Sequence, residues 1–299
     1  MATSIFNFLI MIYLISDVMK RMKLIKKAYK ETKRSSLIVY AILRFLVIIC
    51  LILEIIRGDF NNALLCLLSL ILFIVPLFLQ RALKFTLPSL LESIIFMFIF
   101  ASEILGEINN FYGLLPFWDS MLHVINGFLA AAIGFSLVDL LNRNSKGIKL
   151  SPLYVSIVGF CFSMTIGIMW EFFEFSTDKF LKSDMQKDTI VNSIKSVMFD
   201  LENDNNTIIY DDIKYTILYN QDNEEILKIN GYLDIGLNDT MKDLFVNLIG
   251  AIVFSILGYF YLIQNKKNSF ITNFIPTSGS KEIPESVKNL TFFKKRDQI

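Results

Sequence analysis

The chain has one histidine, three cysteines and two tryptophans in 299 residues. The cysteines, Cys50, Cys66 and Cys161, each fall inside an apolar stretch, with no C-x-x-C and no partner in a loop. They read as small hydrophobes, which excludes a disulfide framework and a zinc site built on thiolates. No nucleophile motif and no defined metal signature occurs, so enzyme status stays open. The basic residues lack interleaved aromatics and an RNA-binding fold signature, which excludes a nucleic-acid partner. A cleavable signal peptide of ordinary form is not expected. The first apolar stretch, Ile5–Ile15, lacks a preceding positive region and a small-residue cleavage site.

What is abundant is hydrocarbon. Hydrophobic residues make up 54% of the chain, above the 45–50% or so of a soluble domain. They gather in six long runs: Leu37–Ile56, Ala63–Leu79, Ser89–Ile108, Trp118–Leu141, Leu153–Phe175 and Met241–Ile263. A helix needs about 20 apolar residues to cross a bilayer. The expected fold is therefore an all-α polytopic membrane protein of six helices. Ile5–Ile15 is short for a span and reads as an interfacial or half-inserted helix, with a seventh crossing as the alternative. Pro76, inside the second run, is tolerated in a membrane helix as a kink.

The charges set an orientation. Eight Lys and Arg lie between Lys20 and Arg34, and more stand at Arg81 and Lys84, at Arg143, Lys146 and Lys149, and from Lys266 to Arg296. With six spans, all four basic segments fall on one side, which the positive-inside rule makes cytoplasmic. The C-terminus is expected on the cytoplasmic side of the membrane. The expected organisation is an N-terminal interfacial helix with a basic cytoplasmic segment (1–36), helices one to five (37–176), an acidic extracytoplasmic insertion (177–240), the sixth helix (241–263) and a basic cytoplasmic tail (264–299). The stretch Lys20–Arg34 reads as a topology anchor, with anionic-lipid binding as the alternative.

The insertion carries thirteen Asp and Glu against six Lys from Thr177 to Thr240. Thr207–Asn220 and Glu225–Asp234 are rich in β-branched and aromatic residues, and the turn-like Asn220–Asn223 joins them. A small β-hairpin, three-stranded or α/β element is expected here. A short echo links Lys187–Ile194 to Lys242–Ile249 through the pattern K-D-x-x-V-N-x-I. Duplication and chance both account for it.

The polar residues of the spans concentrate at one end. Asp119 and His123 open the fourth span, Glu171 and Glu174 close the fifth, Asp239, Asp243 and Asn247 enter the sixth, and Glu103 closes the third. Residues three or four apart share a helix face, so these groups can point into one bundle interior at the outer leaflet. Charges in hydrocarbon are costly and mark functional sites. Glu171, Glu174 and Glu103 sit at C-terminal helix ends, where the macrodipole disfavours anions and capping does not account for them. Asp119 and Asp239 also fit as N-terminal caps. Oxygen ligands with one imidazole suit a divalent cation: Mn, Mg, Zn or Fe. Asp119, His123, Glu171, Glu174, Asp243 and Asn247 are the candidate ligands. Catalytic roles fall to His123, Glu171, Glu174 and Asp243. The alternative is a proton-sharing carboxylate cluster in which His123 titrates near neutrality.

The run Trp118-Asp119-x3-His123-x3-Gly127, then Trp170-Glu171-x2-Glu174, then Asp239-Thr240-x2-Asp243-x3-Asn247-x2-Gly250-Ala251 resembles the YjdF-type family of bacterial inner-membrane proteins. The last two elements are similar to the VanZ-like pattern, linked to glycopeptide-antibiotic tolerance. The chain departs from that pattern by its insertion, Thr177–Asn238, and by Glu174 where a glutamine is usual. The resemblance implies a polytopic protein with a polar membrane-embedded site and, through the VanZ-like link, the cell envelope. It implies no particular reaction. The expected partner is membrane lipid, with a lipid or lipid-linked headgroup as substrate or ligand; a hydrolase or transferase fits. The rival readings are an ion- or proton-coupled transporter and a non-catalytic protein that presents the insertion to a partner. Oligomeric state is not legible.

Overall fold

The computed structural model describes residues 34–82, 85–145, 147, 149–181, 184–202, 205–264 and 270–278. The expected Ile5–Ile15 helix, nearly all of Lys20–Arg34 and most of the basic tail lie outside these residues. Among the described residues, six helical segments are long and apolar enough to cross a membrane: Ser36–Arg57, Phe60–Ala82, Ser89–Ile108, Trp118–Arg143, Pro152–Phe180 and Leu237–Gln264. The protein is a multi-pass, all-α membrane protein with small two-stranded sheets. The chain divides into two compact units.

The first unit takes in Met1–Pro116, Ser136–Leu150 and Phe260–Ile299. Its described helices are α1 (Arg34–Arg57), α2 (Phe60–Leu72), α3 (Val75–Ala82) and α4 (Ser89–Phe100); a π-helix (Ala101–Ile108) and the short α5 (Phe111–Leu114) follow. Pro76 explains why the second span is broken into α2 and α3. With no N–H, it makes no bond back to Leu72, and the chain resets at Phe73 and Ile74. The buried core is Val47, Leu51, Ala63, Cys66, Leu70, Phe73, Phe96 and Ile104. Tyr40, Phe73 and Phe96 stack over it with ring centroids 5.1–6.2 Å apart. Faces turned away from this core stay apolar, as at Phe45, Ile49 and Leu53, which suits lipid.

The charged residues inside these spans are mostly partnered. Gln80 Nε2 donates to Glu92 Oε1 at 2.9 Å, while Gln80 Oε1 accepts from the Leu87 amide at 2.9 Å. Glu54 pairs with Arg57 at 2.7 Å, and Arg44 donates to the Tyr40 hydroxyl. A two-residue strand, β1 (Phe85–Thr86), pairs antiparallel with β8 (Thr277–Ser278).

The second unit takes in Phe117–Phe135 and Ser151–Tyr259. It contains most of α6 (Trp118–Asn144), all of α7 (Pro152–Leu181) and most of α8 (Leu237–Gln264). Phe254 on α8 packs edge-on against two rings of α6, Phe128 at 5.1 Å and Phe135 at 5.7 Å. Between α7 and α8 the insertion forms three antiparallel pairs. These are β2 (Thr189–Val191) with β7 (Tyr232–Asp234), β3 (Ile194–Ser196) with β4 (Ile208–Tyr210), and the hairpin β5 (Thr216–Tyr219) with β6 (Glu225–Ile229). The expected hairpin is present at β5–β6, and no three-stranded sheet forms among the described residues. Asn220 builds its turn, accepting from the amides of Asp222 (3.0 Å) and Glu224 (2.9 Å).

The echoed octapeptides take opposite structures. Lys187–Ile194 runs through β2 into β3, whereas Lys242–Ile249 is helix in α8. Outside the apolar spans the pattern pairs as strand. In hydrocarbon every backbone group must bond within its own segment, and helix results.

Candidate functional site: a carboxylate–imidazole cluster

Three helix ends of the second unit meet at the insertion side of the bundle. α6 and α8 start there and α7 finishes there. Asp119 and His123 share a face of α6 one turn apart, with His123 Nε2 3.5 Å from Asp119 Oδ1. From α8, Asp243 Oδ2 stands 3.8 Å from the same nitrogen. From α7, Glu171 Oε1 stands 3.9 Å from His123 Nδ1. One imidazole thus lies among three carboxyl groups from three helices. Single ligand atoms of Asp119, His123 and Asp243 all fall within 4.8 Å of one another.

The cluster is enclosed. His123, Glu171 and Asp243 are 7%, 4% and 1% exposed. Asp119, with 29% of its side chain accessible, is the open edge. Both oxygens of Glu171 and Oδ1 of Asp243 are buried without a hydrogen-bond partner. A buried carboxylate left in that state costs free energy unless a cation or proton completes it. The sequence predicts this meeting of Asp119, His123, Glu171 and Asp243.

Glu174 lies one turn beyond Glu171, buried, and its Oε1 accepts from Trp170 Nε1 at 2.8 Å. The Trp170 ring packs on Phe173 at 5.4 Å, which fixes the donor. Asn247 lies one turn deeper than Asp243 and is fully buried. Its Oδ1 accepts from Asn126 Nδ2 at 3.1 Å, and its Nδ2 faces Met164 Sδ at 3.7 Å. Both ends of this amide are taken up, so Asn247 forms the floor beneath the cluster. Asp239 and Asp178 lie at the rim. Asp239 accepts from the Lys187 amide at 2.8 Å. Asp178 accepts from the amides of Met185 (2.6 Å) and Gln186 (2.8 Å). Glu103 belongs to the π-helix of the first unit.

Sequence reasoning missed the floor and the strap. Asn126 follows His123 by three residues on the same helix face, in step with Asn247 four after Asp243; that parallel spacing was the available signal. Below the asparagines α6 and α8 come into backbone contact. A Cβ on Gly127 would stand 2.1 Å from the Asn247 carbonyl oxygen, and one on Gly250 2.1 Å from that of Val124. Only glycine fits at such a crossing. Ser163 of α7 seals it by donating to the Gly127 carbonyl at 2.7 Å. On the opposite side, Met185–Lys187 crosses from α7 to α8. Its backbone is held by Asp178 and Asp239, and the Gln186 amide donates to the Thr240 hydroxyl. No sequence signal announced this strap.

Comparison with known proteins agrees with the membrane architecture. A curated protein of Thermotoga maritima, itself uncharacterized, is 28% identical over 103 residues, covering 34% of this chain and 52% of the relative. The chain therefore spans about half the length of that relative. No solved structure matches. The VanZ-like likeness finds no support in these matches, whereas the YjdF-type resemblance is consistent with the family found. A model of the predicted membrane protein family DUF2238 matches residues 38–264, and the chain belongs to that family.

Proposed function

We propose that the second unit holds a divalent cation in the membrane, between Asp119, His123 and Asp243, with Glu171 backing the other side of the imidazole, and uses it on a lipid or lipid-linked headgroup at the outward face. The observation that carries this reading is the convergence of Asp119, His123 and Asp243, whose ligand atoms lie within 4.8 Å of one another with Asp243 Oδ1 buried and without a hydrogen-bond partner. Ligands about 2.1 Å from one ion stand roughly 3.0–4.2 Å apart. The separations of 3.5 and 3.8 Å about His123 Nε2 fall within that interval, while Glu171 stands at 3.9 Å from the other ring nitrogen, where a carboxylate orients a ligating imidazole. Two carboxylates and one imidazole, completed by water or a ligand, suit Mn, Mg, Zn or Fe. Such an ion supplies Lewis acidity toward a phosphoryl or carbonyl oxygen or a bound water.

The remaining residues position and shield. Asp119 opens the site to the interface where headgroups lie. Glu174, steadied by Trp170, is a further carboxyl group one turn above the cluster. It is placed to exchange a proton with an arriving ligand. The outward orientation rests on the distribution of Lys and Arg between the loops.

The floor weighs against a transporter. An ion path needs a route past the cluster, and directly beneath it α6 and α8 touch backbone to backbone at Gly127 and Gly250. A one-sided site is the better reading.

The test is metal analysis of the folded, purified protein prepared without chelator, beside Glu171→Gln and Asp243→Asn. Stoichiometric metal in the wild type that is lost from both variants supports the site. A folded wild type that binds none of the four metals and gains no thermal stability from them ends the metal reading. For the headgroup, thermal stability is compared in nanodiscs of phosphate-bearing lipid and of a neutral glycolipid. The expected outcome is a metal-dependent gain with the first only.

A further inference from the structure

The first unit carries a buried cation with no counter-anion among the described residues. α1 presents Ser36, Tyr40, Arg44, Val47 and Leu51 at steps of four, four, three and four, so they share one helix face. Ser36 and Arg44 are 0% and 2% exposed, and Val47 and Leu51 continue the buried face. Tyr40 stacks on Phe73 and Phe96, with ring centroids 6.2 and 5.1 Å away. The Arg44 side chain runs back along the helix to Tyr40. Its Nη1 donates to the hydroxyl, and the guanidinium stands 5.5 Å from the ring centroid. Arg44 Nε and Ser36 Oγ are buried without a hydrogen-bond partner. By contrast, Arg57 and Arg143 hold Glu54 and Asp139 at 2.7 and 2.6 Å. A charge buried alone is costly, and a guanidinium does not escape the cost by shedding its proton. The Tyr40 oxygen accepts from Arg44, which leaves its own O–H free to donate. The face therefore offers donors at Ser36, Tyr40 and Arg44, and calls for a negatively charged acceptor.

We propose that this face of α1 binds the phosphate of an anionic lipid drawn from the leaflet at the Arg34 end of the span. A guanidinium fork meets two phosphate oxygens at once. Nη1 is engaged on Tyr40, which leaves the Nε edge for them. The position selects a lipid. Arg44 lies ten residues into α1, about 15 Å along the helix, and its side chain leans back toward Arg34 and the headgroup level. Ile38, Ile42 and Phe45 are exposed on the same turns and give acyl chains an apolar surface. Basic pockets between membrane helices take phospholipid headgroups in this way. The run of Lys and Arg from Lys20 to Arg34 directly precedes the face in the chain, and such a run attracts anionic lipid.

The experiment uses the full chain in nanodiscs of a neutral glycolipid, with phosphatidylglycerol or inorganic phosphate added. Thermal unfolding gives the midpoint, and native mass spectrometry counts the phospholipid retained per chain. Arg44→Gln removes the charge. Tyr40→Phe removes the hydroxyl and keeps the ring stack on Phe73 and Phe96. The expected result is one phosphatidylglycerol retained per wild-type chain, with a raised midpoint. Binding should weaken roughly tenfold or more in Arg44→Gln and severalfold in Tyr40→Phe. Should Arg44→Gln fail to fold, Tyr40→Phe decides. Binding unchanged in the folded variants places the lipid elsewhere and overturns the proposal. So does a wild type that retains no phospholipid, or one stabilised equally by inorganic phosphate, which would make the ligand a free anion. The carboxylate cluster takes no part, so the result is independent of the metal analysis.

Discussion

Gly127 and Gly250 hold α6 and α8 in backbone contact, each leaving room for a carbonyl oxygen of the other helix where a Cβ would stand at 2.1 Å. Backbone has no rotamer to change, so any side chain here forces the helices apart. We expect Gly127→Ala and Gly250→Ala each to destabilise the folded protein by about 1–3 kcal/mol. The double variant should lose less than the sum, because one separation relieves both clashes. Thermal unfolding in detergent checks this. Unchanged midpoints would mean that the crossing is looser than described.

Directly above that crossing, Asn126 and Asn247 bond at 3.1 Å with no water-exposed surface on Asn247. A double-mutant cycle with Asn126→Leu and Asn247→Leu should return a coupling of about 0.6 kcal/mol and no larger than about 1.7, the mean and maximum for hydrogen bonds between membrane helices. Asn126→Leu should also weaken metal binding severalfold, because Asn247 lies one turn below Asp243 on α8. A coupling near zero would remove the floor as a positioning element.

Chelation should destabilise the wild type selectively. A ligand bound only to the folded state adds about 2.7 kcal/mol at 100 times its dissociation constant. Treatment with EDTA is therefore expected to lower the unfolding midpoint of wild type, with recovery on adding back one of the four candidate ions. Glu171→Gln, which removes a carboxylate from the cluster, should show little response. An equal drop in both proteins would place the chelator effect elsewhere.

The strap gives a prediction about access and orientation together. Asp178 holds the Met185 and Gln186 amides at 2.6 and 2.8 Å, so Asp178→Ala leaves this backbone tethered mainly through Asp239, with the Gln186 side chain still bonded to Thr240. Trypsin cleavage after Lys187 should then rise severalfold. In spheroplasts, cleavage should occur with protease added outside. Cleavage only after the cells are broken would reverse the assigned orientation.

Much of the cluster was legible because each contribution is local. Asp119 with His123 and Glu171 with Glu174 are pairs of neighbouring helix positions, and their expense in hydrocarbon singles them out. The floor was not legible because Asn126 is an unremarkable polar residue until Asn247, 121 positions away, is known to face it. Asn247 itself read as a ligand. In the fold its amide is committed to Asn126 and Met164.

Sequence alone determined the six apolar spans, because hydropathy acts within one segment, and it marked Pro76 as a kink where the structure has a full break between two helices. Only the tertiary structure decided which side chains meet. It set Glu171 and Asp243 on either side of His123, and gave K-D-x-x-V-N-x-I a strand in one setting and a helix in the other. Those outcomes depend on where helices cross and on what surrounds a segment, and both are set by residues far away along the chain.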